Sequence, residues 1–156
     1  MKPKHSLMLL SLATVIGIST PIQACSYDGQ FNNPFTESFP GSLDIAMATQ
    51  EALEHNHLQQ IETLEGKQGL KRASWWLTVM AKNQKVDLES VTYIYLVDSH
   101  LWTKVTNGNR IEVHATPSSA TPSSVMLLSE AALQALVQDK VDLQTAVDLG
   151  VVQFSS

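Results

Sequence analysis

Asp98, Ser99 and His100 stand side by side in "DSHLW", an acid, a hydroxyl and an imidazole in three consecutive positions. Together they name the parts of a hydrolytic triad, but a triad is assembled in space from residues that face one another. Neighbours in a turn or strand do not, and no Gly-x-Ser-x-Gly elbow occurs in the chain. Local hydrogen bonding of Asp98 and Ser99 to the backbone of a turn accounts for these residue types. The second candidate is "EHNH", which holds His55 and His57. On a helix, residues two apart point away from each other, whereas metal ligands need a spacing of four. No cysteine or acidic cluster stands near them to complete a shell. His114 stands at the end of a predicted strand, beside the Pro-Ser loop. Phosphate loops, dinucleotide fingerprints and Cys-x-x-Cys pairs are all missing from the sequence. The expectation is therefore no catalytic residue, no metal and no cofactor.

The aromatic residues point to binding instead. Trp75, Trp76, Tyr93, Tyr95 and Trp102 are candidates for the walls of a mostly apolar pocket, each of them equally suited to the core. Trp75 and Trp76 are about 100° apart on a helix, so one is expected in the core and the other on a pocket wall or contact surface. Tyr27, Phe31, Phe35 and Phe39 recur every four residues through a segment rich in Gly and Pro, residues 25–41. A solvated tail has no need of four aromatics. This arm is expected to pack on its own domain or to serve as an interaction arm for a partner.

Residues 1–24 read as a secretory signal: a basic start, the apolar run "SLMLLSLATVIGIS", and a small residue before Cys25. The run is too short for a stable membrane anchor, and no later segment reaches the ~20 apolar residues that one needs. Export to a bacterial periplasm is the expectation. Cys25 is the one cysteine. It is either the site of lipid attachment, since Ile22, Gln23 and Ala24 roughly fit a lipoprotein box, or the first residue of a soluble chain. A membrane contact is expected only through such an anchor.

Cleavage would remove Lys2 and Lys4 and leave 132 residues with eight basic against fifteen acidic side chains, a net charge of −7. That length suits one domain with its own core. The negative balance, without a basic stripe, argues against nucleic acid as a partner.

The elements that would position the aromatics follow from periodicity. Ser42 is an N-cap candidate for a helix whose apolar face is Leu43, Ala46, Met47 and Leu53. A second helix repeats Leu70, Ala73, Trp76, Leu77 and Met80. From residue 91 to 114 the pattern changes to β-branched and aromatic alternation, with Asn-Gly at 107–108 marking a hairpin in a small antiparallel meander. "ATPSSATPSS" is an exposed connection. Val125–Leu128 makes a fourth strand, Ser129 and Asp142 cap two helices, Gly150 ends the second, and "VVQF" makes a fifth strand.

The block from Val125 to Phe154 resembles the C-terminal half of the sterol-carrier-protein-2-like domain, on Ser129, Glu130, Leu133, Leu136, Lys140, Val141, Asp142, Ala146, Gly150 and Val152. With the meander, the likeness covers about residues 91–154. Asp139 departs from it, standing where the family has Gly, and the 156 residues do not include the closing segment that completes the lipid tunnel in carrier members. The resemblance implies an α+β fold, a five-stranded, mostly antiparallel sheet with helices packed on one face, as a single domain over 42–156. It also implies a cavity between sheet and helices for a small apolar ligand, lipid- or quinone-like. The competing expectation is an accessory or regulatory protein that binds another envelope protein through the aromatic arm, without a ligand.

Overall fold

Strand β1, Tyr93–Leu96, is the centre on which the fold is built. In the computed structural model, which describes residues 39–83, 86–107, 109–118 and 124–155, it has a neighbour on each side. β2 (Leu101–Thr106) pairs antiparallel with β1, and β3 (Arg110–Val113) antiparallel with β2, giving the expected meander. The connection between Thr106 and Arg110 is three residues long, and Asn107 takes a positive φ of 54° there. β4 (Val125–Leu128) returns to the other side of β1 and runs parallel to it. β5 (Val152–Ser155) closes the edge antiparallel to β4. The five-stranded sheet is thus mixed, in the order β3-β2-β1-β4-β5, with a parallel pair at its centre.

Alternation sorts the strands into two unlike faces. Ile94, Leu96, Leu101, Val105, Met126, Leu128 and Val152 fall on one, which the main core covers. Three helices pack there: α2 (Gly66–Lys82), α3 (Glu130–Val137) and α4 (Leu143–Asp148). α2 contributes Ala73, Trp76, Leu77 and Met80, as its periodicity predicts. Tyr93, Tyr95, Val97, Trp102, Val125 and Leu127 form the opposite face.

The remaining helix, α1 (Ser42–Glu54), departs from the sequence reading in two ways. It buries Ile45, Thr49 and Ala52, while Leu43 is 71% and Met47 64% exposed. Ala46 is exposed as well. The helix carries two apolar stripes, and close approach selects the one with small residues: a Cβ on Gly150 would lie 3.3 Å from that of Ala48. α1 also serves both sides of the sheet, placing Ile45 in the second cluster and Ala52 in the main core. The helices are therefore not confined to one face.

Caps follow the sequence except at α1. The hydroxyl of Ser129 accepts from Ala132 N at 3.2 Å and the carboxylate of Asp142 from Thr145 N at 2.7 Å. At α1 the cap is Gly41 with φ 90°, and the Ser42 hydroxyl turns back to donate to Phe39 O at 2.5 Å. α1, α3 and α4 each end on a residue with positive φ: Asn56 at 59°, Asp139 at 54° and Gly150 at 72°. The amides that follow bond back to Ala52 O, Ala135 O and Ala146 O. Short polar side chains tolerate this conformation, which is why Asp139 can stand where the resemblance has Gly. No helix of the described residues is long and apolar enough to cross a membrane.

Candidate functional site

The crevice beyond the carboxyl ends of parallel neighbours is where open sheets commonly bind ligands. Here those ends are Leu96 and Leu128, and Val97 N bonds to Leu128 O at 3.0 Å across them. The chain then turns through Asp98, Ser99 and His100, with His100 at φ 54°. Beside this turn lies the start of α1. Between them is an open groove of about 410 Å³ lined by Phe39, Pro40, Gly41, Ser42, Leu43, Ala46, Val97 and Asp98.

One wall of the groove stands on an aromatic cluster. Tyr95 and Trp102 are cross-strand partners with ring centroids 4.5 Å apart. Tyr93 meets Trp102 edge-on at 6.0 Å. Phe39 closes over the group, 5.3 Å from Trp102 and 5.9 Å from Tyr95. Tyr95 and Trp102 are left 2% and 5% exposed. They fill the space between them and support the groove rather than line it.

Three of the five wall candidates are thus brought together, and two lie elsewhere. Trp76 belongs to the main core on the opposite face, with the Arg72 guanidinium 4.8 Å over its ring. Trp75, one position on, is 60% exposed. Of the arm, Phe39 packs on its own domain; Cys25, Tyr27, Phe31 and Phe35 lie outside the described residues.

The polar end of the groove is Asp98. Its Oδ2 accepts from Glu130 N at 2.5 Å, so the turn after β1 caps the first amide of α3. This reaches well beyond the local turn bonds that the sequence suggests. Packing around the carboxyl and the neighbouring Glu130 charge raise its pKa above the ordinary carboxylate range, against the Glu130 N–H bond that lowers it. The shift holds although Asp98 as a whole keeps solvent exposure on its groove side. Glu130 is itself buried and paired with Arg72 at 3.2 Å. Nδ1 of His100 lies 2.8 Å from the Tyr95 hydroxyl. Burial lowers the His100 pKa and so favours the neutral ring, more than the Asp98 charge raises it.

His55 and His57 differ from expectation in geometry. α1 ends at Glu54, so His55 and His57 are not held at helical spacing, and their rings stack with centroids 6.0 Å apart. Among the described residues, no group of three or more His, Cys, Asp or Glu side chains is placed to hold a metal.

Sequence reasoning missed the groove because it took Leu43, Ala46 and Met47 for core. The available signal was the second apolar stripe of α1, Ile45, Ala48 and Ala52, whose small residues suit close packing. No family model, curated protein or solved structure matches this chain.

Proposed function

We propose that this chain is an exported, non-enzymatic binding protein that holds a small, largely apolar molecule, lipid- or quinone-like, in the groove between α1 and the β1–β2 turn. The observation that carries this reading is the groove's makeup: Phe39, Leu43, Ala46 and Val97 as apolar walls, with the Asp98 carboxyl at one end. Small-molecule sites combine apolar walls with polar anchors; here the lining is divided almost evenly between the two, with Ser42 as well as Asp98 on the polar side, and about 410 Å³ falls within the usual range. The site differs in place from the sterol-carrier-like expectation, because the layer between the sheet and α2–α4 is occupied by the main core. Export rests on the leader at residues 1–24, and a lipid on Cys25 would hold the protein at the envelope.

A native mass spectrum of the protein isolated gently from its own cell envelope tests this. Excess mass lost on denaturation, and absent from a Leu43→Asp variant, supports the groove. A bare chain from Cys25 onward removes it. Excess mass that survives denaturation and maps to Cys25 supports the anchor.

A second reading, docking of another envelope protein, is favoured by the exposure of Leu43 and Met47 along one face of α1. Met47→Glu would then abolish pull-down of that partner and leave the native mass unchanged.

A further inference from the structure

The Asp98 carboxylate of the groove is compensated only in part, by the first amide of α3, whose helix terminus brings a positive charge of about one half. Among the described residues, Asp98 is the only ionisable side chain that lines the groove, and no Lys or Arg does so. Beyond the Glu130 amide, the neighbouring groups are engaged mainly away from Asp98. The Arg72 guanidinium bonds to Glu130 Oε2 at 3.2 Å and to Glu62 O at 2.7 Å, and it covers Trp76. His100, which faces Asp98 from the same turn, is favoured as the neutral ring by its burial. The start of α1 would bring a partial positive charge of about one half. Asp44 stands in the first turn of that helix and offsets it. The rest of α1 adds Glu51 and Glu54 and no basic residue. A ligand entering the groove therefore meets walls that are apolar in part and a partly offset negative charge at one end.

Resting on the groove as the binding site, we propose that its ligand is a cationic amphiphile: an alkyl or aryl body against Phe39, Leu43, Ala46 and Val97, with an ammonium or amidinium group on the Asp98 carboxylate. The apolar body supplies most of the binding through the area it removes from water. The cation supplies selectivity, because a like-charged or neutral head leaves Asp98 without a counter-charge. An anionic amphiphile of equal length is repelled by the same carboxylate. The Asp98 Oδ2 bond to Glu130 N fixes the carboxyl in place, so the site is formed before the ligand arrives.

Calorimetric titration of the full mature chain with octylammonium, octanol and octanoate at neutral pH and low salt provides the test. The expected result is octylammonium binding about ten-fold tighter than octanol, with octanoate weakest, each factor of ten being about 1.4 kcal/mol. Raising the ionic strength from about 0.01 to 0.15 M shortens the screening length from about 30 to 8 Å and should narrow that preference. Asp98→Asn keeps an acceptor for Glu130 N and should bring octylammonium and octanol to equal affinity. Ala46 is exposed, so Ala46→Lys leaves the core untouched; it should weaken octylammonium more than octanol. Octanol binding without an ammonium preference, or a preference that survives Asp98→Asn, overturns the cation assignment and leaves the groove standing. Failure of all three probes overturns both.

Discussion

Oδ2 of Asp98 lies 2.5 Å from the backbone nitrogen of Glu130, across a separation of 32 residues. This bond joins the turn after β1 to the first amide of α3, where Ser129 caps the next turn from within the chain. The candidate anchor of the groove is thus also a structural element of the helix beside it.

That double role sets a pH dependence. The folded carboxyl has a pKa above its ordinary value of 3.8, so the folded state holds the Asp98 proton more tightly than the unfolded chain. Its contribution to stability is then full below 3.8 and is lost as pH rises through the raised value. Urea unfolding of the wild type and Asp98→Asn across this range should show the wild type losing ground to the variant as pH rises. A constant difference would mean that the carboxyl titrates normally.

His100 acts in the opposite direction. Its folded pKa lies below 6.5, so stability from the neutral ring is present above 6.5 and is lost as pH falls through the depressed value. His100→Asn keeps a residue type that tolerates φ 54° and removes the titration. The wild type should weaken relative to this variant on acidification below 6.5, read from thermal midpoints.

The ion pair between Arg72 and Glu130 ties α2 to α3, with both side chains largely buried. Arg72→Ala takes the guanidinium away from the buried Glu130 carboxylate, and the loss should be about 3 kcal/mol in urea unfolding. Adding Glu130→Ala should recover part of it. A single-variant loss under about 0.5 kcal/mol would place the pair with ordinary surface bridges.

The tryptophans should separate cleanly. Trp102→Ala removes the ring on which Phe39, Tyr93 and Tyr95 all rest, at a cost of about 3–5 kcal/mol. The exposed Trp75 changed to Ala should shift stability by no more than about 0.5 kcal/mol. Only the first should show in the chemical denaturation midpoint.

Gly150→Ala strains a residue at φ 72° and brings a Cβ within 3.3 Å of Ala48. It should destabilise the fold by about 1 kcal/mol or more. Ala48→Gly in the same chain should relieve the contact and leave the backbone strain.

Most of the elements were legible because their signals are local. Val125–Leu128, the caps at Ser129 and Asp142, and the stop at Gly150 all follow from residues within one turn of where they act. The meander was equally plain from Tyr93 to Val113. Two things were not legible. The parallel β1–β4 pairing joins Tyr93 to Val125, and no turn sets that register. The buried stripe of α1 depends on how near Gly150 lets the helix come, which a hydrophobic count cannot sense. The groove inherits both difficulties, since it forms where the parallel strands end and α1 begins. Tyr93 and Tyr95 could be put on one face from alternation, but neither the pairing of Tyr95 with Trp102 nor Asp98 as a cap on α3 could be read.

The central position of β1 has a consequence for the order in which the protein is made. β1, β2 and β3 leave the ribosome, or any export channel entered from the amino terminus, before β4 does. Until Val125–Leu128 arrives, one side of β1 is a row of unpaired amides and carbonyls between Ile94 and Leu96, two of the most buried side chains. An open edge of this kind is a template for pairing with another chain. The interval between synthesis of β3 and β4 is therefore when the nascent protein is most exposed to aggregation, and most dependent on whatever holds it apart.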